Sequence, residues 1–243
     1  MRKVRYRIVS NSGVAAGTFR LVLEGDCSAF GRGGQFADIA IDGFFLRRPI
    51  AATSWGNGRL EMYYKVVGEG TEALSKMAPG ACLDVLAGLG NGFDASACKR
   101  SALVVCGGLG ASPAFTLVRD LLASGRSVRL ILGFNTAADA ILLDEYRALG
   151  VEPEVVTMDG TLGAKGLVTD VMGEPDCDFF YTCGPKVMMR AVCERMKVNG
   201  EASLEERMGC GCGICYGCTC KTTSGPRRVC ADGPVFRKEE IIW

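Results

Sequence analysis

The sequence predicts a multidomain protein of the β plus α/β class, with an N-terminal antiparallel β-barrel, a doubly wound α/β domain and a small C-terminal cysteine-rich domain. Three observations support this prediction. Short strands with glycine-rich turns fill residues 1–98, apolar strands alternate with helices over residues 99–200, and cysteines crowd together within residues 201–243. A chain of 243 residues is also longer than most single domains.

Composition excludes several classes of function. Lys plus Arg total 28 against 27 Asp plus Glu, so no strong field favours nucleic acid or an anionic membrane. The chain has no histidine, which excludes a histidine general base, a Ser-His-Asp triad and a Rieske cluster. The basic N-terminus leads into Ser10–Gly13 without the apolar segment of a signal peptide, and no run reaches the roughly 18 apolar residues of a membrane span. We therefore expect a cytoplasmic protein with reduced thiols, whose chemistry comes from cofactors.

In the first part, three segments alternate apolar and polar residues with the period of a β-strand. They are Arg5–Val9, Thr18–Leu23 and Arg59–Val67, and they are rich in β-branched and aromatic residues. Consecutive short strands with glycine-rich turns form antiparallel barrels or sandwiches. We take the barrel as the prediction for residues 1–98.

Two places in this first part suit a phosphate group. Pro49 favours an extended chain at the two preceding residues, Arg47 and Arg48, and a guanidinium binds phosphate through paired hydrogen bonds. The alternative is that both arginines are solvated on an edge strand. Gly68–Thr71 then interrupts the strand pattern, and its threonine is placed to cap a short helix over residues 72–77. The N-terminus of such a helix binds anions, so we expect a second phosphate contact there.

From about residue 101 the pattern changes to alternating strands and helices. The predicted elements, in order, are strand Ala102–Cys106, helix Ala114–Ala123, strand Val128–Leu132, helix Ala137–Leu149, strand Glu154–Thr157, strand Phe179–Cys183 and helix Lys186–Val198. The first strand is a continuous apolar run, which is typical of a parallel strand buried on both faces. The alternation predicts a doubly wound parallel sheet.

A glycine motif lies between the first strand and helix of this part. Gly108-x-Gly110-x-x-Pro113 is similar to the dinucleotide-binding fingerprint, with a proline in place of the last glycine. Proline suits the first turn of a helix. The position of the motif between a strand and a helix favours nucleotide binding, whereas the alternative is an ordinary strand-to-helix turn.

Two further features concern the nucleotide. No Lys or Arg lies between Leu130 and Tyr146 to receive a 2′-phosphate, and three acidic residues are present there, which favours NAD over NADP. The acidic residues are Asp139, Asp144 and Glu145. Cys183-Gly184-Pro185 follows a strand at the carboxyl edge of the sheet, where open α/β folds bind ligands. Alternatively, Cys183 serves only for packing.

The cysteines near the C-terminus form the most distinctive pattern of the chain. Cys210-x4-Cys215-x2-Cys218, followed by Cys230, has the plant-type spacing of a [2Fe–2S] cluster. Glycines alternate with these cysteines, as a loop needs if its backbone N–H groups are to approach sulfur. The capping box Ser203–Glu206 predicts a short helix that leads into this loop.

Three alternatives to a [2Fe–2S] cluster remain open. A register that starts at Cys212 opens a [4Fe–4S] run, but the Cys-Pro that ends such a run is replaced by Thr222-Thr223. Cys215-x2-Cys218 is also half of a common zinc module. A disulfide-rich tail would belong to a secreted protein. The spacing does not determine the number of iron atoms, and it assigns no role to Cys212 and Cys220.

Over its whole length the chain resembles the electron-transfer subunit family of class 1B dihydroorotate dehydrogenases, within the ferredoxin–NADP reductase superfamily. The cysteine frame and the segment after it are the most specific part of this resemblance. The shared motifs are Leu46–Ile50, Gly70-Thr71, Gly88–Phe93, Gly107–Gly110, Cys183–Pro185, Glu206–Met208, the cysteine frame and Val229–Phe236.

The resemblance implies three cofactors. FAD would bind in the barrel domain over residues 1–98, NAD in the α/β domain over residues 99–200, and a [2Fe–2S] cluster in the domain over residues 201–243. The implied flavin and nucleotide residues are Arg48, Pro49, Ile50, Ala51, Lys65, Val66, Val67, Gly70, Thr71, Gly108, Gly110, Cys183, Gly184 and Pro185. The implied cluster ligands are Cys210, Cys215, Cys218 and Cys230.

The chain departs from the family pattern in two places. Ala51 stands where the family usually has serine after Arg-Pro-Ile, which puts one hydrogen bond to the flavin in doubt but not flavin binding itself. Ala87–Gly90 stands where the family usually has Gly-Pro-Leu-Gly. No residue with a catalytic role of its own is implied.

The implied function is electron transfer. Dihydroorotate would be oxidised to orotate, a step of pyrimidine biosynthesis, on a partner catalytic subunit that carries FMN, in a heterotetramer with two copies of each chain. Electrons would then pass through the cluster and FAD to NAD. The flavin and [2Fe–2S] subunits of NAD(P)H-linked ferredoxin reductases and sulfhydrogenases share nearly all of these motifs. A stand-alone flavin reductase and a zinc-stabilised binding module without enzymatic activity are further alternatives.

Overall fold

A computed structural model describes residues 1–174 and 176–243. The first strands form a closed barrel in the order β1-β2-β5-β4-β3-β6, with every pair antiparallel. Their bounds are β1 Arg2–Ala15, β2 Thr18–Glu24, β3 Phe36–Ile39, β4 Arg48–Gly56, β5 Arg59–Lys65 and β6 Cys82–Leu89. The predicted antiparallel barrel is confirmed. Two of the alternating segments lie within β1 and β2, and the third covers β5 and the two residues after it.

The barrel encloses a core of its own. Side chains that alternate along its strands, such as Tyr6 with Ile8 and Leu21 with Leu23, are fully buried in it. A short helix α1, Glu69–Ser75, follows β5. The predicted start at residue 72 is wrong, because Gly68 is the N-cap and Thr71 lies inside the first turn. Its Oγ1 accepts the N–H of Val67 at 2.9 Å and that of Gly68 at 3.2 Å, so the hydroxyl still satisfies the exposed end.

The remaining strands form two sheets. Seven make a sheet in the order β10-β9-β8-β7-β11-β12-β15, parallel except for β15, and β13 pairs with β14. The bounds are β7 Ser101–Gly107, β8 Ser127–Phe134, β9 Glu154–Thr157, β10 Ala164–Lys165, β11 Phe179–Cys183, β12 Gly200–Ser203, β13 Thr219–Thr222, β14 Gly225–Arg228 and β15 Val235–Arg237. The helices are α2 Ala111–Ala123, α3 Leu143–Ala148, α4 Val168–Val171 and α5 Lys186–Arg195.

The seven-stranded sheet is covered on both faces. Val104 of β7 packs in one core with α2 and α3, whereas its neighbours Leu103 and Val105 pack in another core with α4 and α5. This arrangement confirms the predicted doubly wound α/β region. None of the described helices is long and apolar enough to cross a membrane.

Apart from helices whose ends are shifted, such as α5, which ends at Arg195 and not at Val198, two predicted helices do not form as predicted. The helix predicted over residues 137–149 is divided into a 3₁₀ turn, Ala137–Asp139, and α3, because Leu142 takes a left-handed conformation with φ 62°. Burial of Ile141 and Leu142 in the core outweighs the helical pattern there. The helix predicted from the capping box at residues 203–206 is also wrong. Ser203 ends β12 and pairs with Val235 of β15, so its backbone belongs to the sheet.

The C-terminal part depends on the sheet beside it. Residues 204–218 contain no regular strand or helix, the hairpin of β13 and β14 follows, and β15 returns to pair with β12. The boundary predicted between residues 200 and 201 falls at the first residue of β12, which belongs to the α/β sheet. The two boundaries between the three predicted domains stay predictions.

Candidate cofactor sites

A cleft of about 390 Å³ lies between the barrel and the α/β region. Its walls come from the start of β4, the end of β5, the first turn of α2 and the segment that follows β12. Eight of the predicted cofactor residues line it: Arg48, Pro49, Ile50, Ala51, Lys65, Val67, Thr71 and Cys183. Val66, Gly70, Gly110 and Gly184 line neither this cleft nor the second one described below.

The two arginines before Pro49 have different surroundings. Arg47 is bound to the barrel, donating to the Asp84 carbonyl at 2.9 Å and to the Asp84 carboxylate at 2.5 Å. Arg48 lines the cleft, and its guanidinium lies 4.9 Å from the ring centroid of Phe44. The structure therefore leaves Arg48, and not Arg47, available to a group in the cleft.

Gly70 is placed against Arg48. A Cβ at this position would lie 2.1 Å from the Arg48 Nε, so any side chain would displace the guanidinium. Glycine here lets the first turn of α1 approach the arginine closely. A guanidinium beside backbone N–H groups is a donor set that suits phosphate oxygens, so this wall of the cleft fits the pyrophosphate of a flavin dinucleotide.

A second cleft of about 460 Å³ lies at the carboxyl ends of β7, β8 and β11, where open α/β sheets bind ligands. The predicted residues Gly108, Pro185 and Lys65 line it. Gly110 serves the packing below, because a Cβ there would lie 2.2 Å from the Cys183 carbonyl oxygen. At Gly184 a Cβ would lie 2.8 Å from the backbone nitrogen of Gly107. These glycines let the strand ends and the helix approach one another, as in a dinucleotide fold.

The acidic residues predicted near the nucleotide are dispersed. Asp139 lines the second cleft and receives a hydrogen bond from the Lys65 ammonium at 3.1 Å, which lowers the pKa of its carboxyl group. Asp144 pairs with Arg147, and Glu145 accepts a hydrogen bond from the Tyr63 hydroxyl. Lys65 is thus a basic side chain of the second cleft, and it has an acidic partner there.

The sequence reasoning missed the segment that joins the two kinds of site. Ser203–Glu206 and Met208 line the first cleft, and Cys210 follows two residues later. Ser112, at the start of α2, also lines this cleft, with its Oγ 2.7 Å from the Thr53 Oγ1. The motif Glu206–Met208 was visible in the sequence, but its placement depends on how β12 ends. The cysteine loop therefore begins at the rim of the first cleft.

The four predicted cluster ligands are held on a loop and a turn. Cys218 and Cys230 are buried, Cys210 is half-buried and Cys215 is exposed. Backbone N–H groups point at their sulfurs: Ile214 N lies 3.2 Å from the Cys210 Sγ, Gly217 N 3.4 Å from the Cys215 Sγ, and Cys230 N 3.4 Å from the Cys218 Sγ. Such hydrogen bonds stabilise thiolates and tune cluster potentials.

The Cys210 thiol responds most strongly to these surroundings. Burial opposes its ionisation, but the hydrogen bonds from the backbone N–H groups of Cys215, Cys212 and Ile214 lower its pKa to about 6. The loop needs unusual backbone angles to turn its N–H groups inward, with φ of 65° at Gly211 and 86° at Gly213. Thiolate is the form that binds metal.

The thiols of the four predicted cluster ligands contact one another in two pairs. Cys210 contacts Cys215, and Cys218 contacts Cys230. No group of three or more metal-binding side chains converges on one ion within residues 1–174 and 176–243. Two pairs of thiols fit a [2Fe–2S] cluster, in which each iron takes two cysteines, better than a single zinc ion with four. Cys212 contacts Cys210, and Cys220 is buried against the sheet.

Comparisons with known proteins show which families the chain resembles. Residues 205–242 match the family model described as the iron-sulfur cluster binding domain of dihydroorotate dehydrogenase B, and residues 104–194 match the oxidoreductase NAD-binding domain. The dihydroorotate dehydrogenase B (NAD(+)) electron transfer subunit of Bacillus pumilus is 38% identical over 255 residues, covering 99% of this chain and 98% of that protein. That of Shouchella clausii is 38% identical over 259 residues and covers 100% of both chains.

Solved structures show the same architecture. The structure of an NADH-dependent reduced ferredoxin–NADP oxidoreductase, studied for flavin-based electron bifurcation, has a TM-score of 0.89 and 29% identity, covering 98% of this chain and 90% of that chain. A ferredoxin NADP+ reductase from Neisseria gonorrhoeae with bound FAD and NADP has a TM-score of 0.67 at 17% identity, covering 80% of this chain and 90% of that chain. The second likeness concerns the fold alone.

Proposed function

Because this chain belongs to the family of dihydroorotate dehydrogenase B electron transfer subunits, we propose that it carries electrons between a catalytic partner subunit and NAD. FAD would occupy the first cleft, NAD the second, and a [2Fe–2S] cluster the cysteine loop. One observation supports this order above all others. Residues 203–206 and Met208 line the cleft proposed for FAD, and the chain reaches Cys210 two residues later, so the two sites adjoin.

The chain's own residues bind and orient these cofactors. A bound flavin exchanges two electrons with NAD and single electrons with an iron–sulfur cluster. Arg48 and the first turn of α1 would hold the flavin pyrophosphate, and the strand from Arg48 to Ala51 would form one wall for the ring. Gly108 and Pro185 would hold NAD at the carboxyl edge of the sheet. Cys210, Cys215, Cys218 and Cys230 would be the cluster ligands, with N–H groups turned toward the sulfurs.

Oxidation of dihydroorotate to orotate belongs, in this proposal, to the partner. Removing hydrogen from carbon needs a base placed at the substrate, and the chain lacks histidine, the side chain that most often has this role. The catalytic partner would carry FMN and receive the electrons first, and the assembly would contain two copies of each chain. The cysteine loop, with Cys215 exposed, would be the side on which electrons arrive from the partner.

An anaerobic reduction series tests the proposal. NADH added to the purified chain should bleach the flavin and then produce the electron paramagnetic resonance signal of a reduced [2Fe–2S] cluster. Dihydroorotate alone should change neither, whereas dihydroorotate with the FMN-carrying catalytic subunit should reduce both. The matched control is Cys215→Ser, which should still show flavin bleaching without the cluster signal. Failure of NADH to bleach the flavin, or reduction by dihydroorotate without a partner, would contradict the proposal.

The match to the NADH-dependent reduced ferredoxin–NADP oxidoreductase supports a second candidate, a ferredoxin-linked reductase subunit. The two functions differ in the partner at the cysteine loop. Reduced ferredoxin added to the chain, without a catalytic subunit, would reduce the cluster and FAD rapidly in this second case. In the first case rapid reduction needs the dihydroorotate dehydrogenase partner. The higher identity to the dihydroorotate dehydrogenase B subunits favours the first.

A further inference from the structure

Arg228, the last residue of β14, joins the cysteine loop to the turn that follows β14. Its Nε and Nη2 each donate to an oxygen of the Asp232 carboxylate, both at 2.9 Å. Its Nη1 donates to the Gly213 carbonyl oxygen at 2.8 Å. Its backbone N–H also donates to the Asp232 carboxylate at 2.8 Å. One side chain therefore holds both the loop and the turn that follows β14.

The loop is packed tightly onto Arg228. The guanidinium carbon lies 5.1 Å from the ring centroid of Tyr216, close enough for a cation–π contact. A Cβ at Gly213 would lie 2.7 Å from the Ala231 Cβ and 3.2 Å from the Arg228 Nη1. The absence of a side chain at Gly213 is what allows the loop to come this close to the turn.

The two segments joined by Arg228 are those that carry the predicted cluster ligands. Gly213 and Tyr216 belong to the loop with Cys210, Cys215 and Cys218, whereas Asp232 follows Cys230 by two residues. Between these segments the chain runs through the hairpin of β13 and β14, and a two-stranded hairpin is only marginally stable by itself. The Arg228 contacts therefore fix the spacing between the fourth cysteine and the other three.

The same guanidinium also places a positive charge beside the thiols. Arg228 interacts electrostatically with Cys230, and its guanidinium is paired with the Asp232 carboxylate. Reduction of an iron–sulfur cluster adds a negative charge, so nearby charge is one of the properties that set its potential. Removing the arginine while leaving Asp232 would make reduction harder.

We propose that Arg228 is a positioning residue for the iron–sulfur cluster: it fixes the distance between Cys230 and the other ligands and keeps the cluster potential less negative than it would otherwise be. This inference rests on the proposed function, since it requires a cluster at these cysteines. It assigns the residue no contact with the iron. The pair Arg228–Asp232 acts through the protein segments that carry the ligands, as outer residues of metal sites do.

Variants of the whole chain test this role, with Arg227→Gln as the matched control. Arg227 is the adjacent arginine, and its Nε is 4.0 Å from the Asp232 carboxylate, beyond hydrogen-bonding distance. Arg228→Gln should lose iron to a chelator roughly tenfold to a hundredfold faster than the wild type, because loss of an outer partner typically weakens metal sites by that factor. Its cluster potential should move to more negative values. Arg227→Gln should change the rate less than about twofold.

Arg228→Lys keeps the charge but offers no planar fork, so it should retain the potential better than it retains iron. Iron content, the resonance spectrum of the reduced cluster, its midpoint potential and FAD content are measured on every variant. Equal iron loss and equal potentials in Arg228→Gln and Arg227→Gln would overturn the positioning role while leaving the proposed function intact. A wild-type chain that holds flavin but no cluster would overturn both. If Arg228→Gln does not fold, the lysine variant and Asp232→Asn carry the same comparison.

Discussion

The first cleft, proposed for FAD, adjoins the cysteine loop, yet the two are held in place by different forces. The cleft lies between two bodies with large apolar cores, the closed barrel and the seven-stranded sheet. The loop has a two-stranded hairpin, a few buried residues and a set of polar contacts centred on Arg228. A cleft of the first kind exists before its ligand binds, whereas a loop of the second kind gains much of its stability from the metal it binds. Loss of a cofactor should therefore have unequal consequences in the two places.

The largest expected effect comes from removing a predicted ligand. Cys215→Ser should abolish the cluster, because serine replaces a soft thiolate with a hydroxyl that does not ligate iron in this way. FAD should remain bound, since its cleft does not depend on the loop for its core. Iron and flavin per chain are measured together. The control is Cys212→Ser, which should keep nearly full iron content, and loss of the cluster there would show that the ligand register is wrong.

Substitutions of Gly70 and Gly68 should have the reverse effect, weakening FAD binding in one variant while iron stays bound in both. Gly70→Ala places a Cβ 2.1 Å from the Arg48 Nε and displaces the guanidinium. We expect FAD affinity to fall roughly tenfold or more, because a charge-assisted hydrogen bond contributes about 1.5–3 kcal/mol. Gly68→Ala is the control, since a Cβ there meets nothing within 4 Å and φ is 178°. Similar flavin dissociation constants for the two variants would contradict the assigned role of Arg48. The iron content should stay unchanged in both.

A pH series tests the burial of Glu201, a residue of β12, the strand that leads into the cysteine loop. Burial raises the pKa of this carboxyl to about 7, although the Asp94 N–H at 2.9 Å and Arg237 oppose the shift. The pKa of an unfolded glutamate is about 4.3, so the folded state holds the proton more tightly. The contribution of the Glu201 carboxyl to the free energy of unfolding is therefore fully present below the unfolded pKa of about 4.3, and it is lost as the pH rises through about 7.

Glu201→Gln should remove this dependence. Between pH 4.5 and 7 the free energy of unfolding of the wild type should fall relative to the variant by an amount on the order of 3 kcal/mol. Denaturant unfolding at several pH values measures the difference. Parallel curves for the two proteins would contradict the assigned burial effect. Iron content should depend on the cysteine loop, so Glu201→Gln should retain as much iron as the wild type.

The smallest expected effect concerns the ion pair between the barrel and the nucleotide cleft. The Lys65 ammonium lies 3.1 Å from the Asp139 carboxylate, and the side chains are 41% and 18% exposed. Pairs of this exposure typically contribute less than about 1 kcal/mol. A double-mutant cycle with Lys65→Met and Asp139→Asn should therefore give a small coupling energy in thermal unfolding. A coupling above about 2 kcal/mol would mean that the two regions are held together more strongly at this point than the exposure of the pair implies.

The sequence predicted the large elements and missed the connections that place the sites. Strand periodicity was sufficient for the barrel and the parallel sheet, because alternation and apolar runs report burial directly. The helix predicted over residues 137–149 was wrong, since no local signal shows that Leu142 will turn left-handed to bury its side chain. The capping box at Ser203 was also misleading, because pairing with β15 is a long-range contact.

The candidate sites divide in the same way. The cysteine spacing indicated the candidate cluster ligands, because the four cysteines are close in sequence and a short loop and hairpin bring them together. The glycine and arginine motifs indicated which strand ends would face a ligand. The role of Gly70 as a neighbour of Arg48, and that of Arg228 as a link between Gly213 and Asp232, depend on contacts between distant segments. Sequence patterns of one chain do not contain those distances.

Whether the chain carries both FAD and a [2Fe–2S] cluster can be decided by an anaerobic visible spectrum of the purified chain, with iron, zinc and flavin quantified on the same sample. We expect a yellow-brown protein with about one FAD and about two irons per chain. A colourless protein that contains zinc and no flavin would contradict it, because the cysteine loop would then be structural and the cleft beside it would serve another ligand.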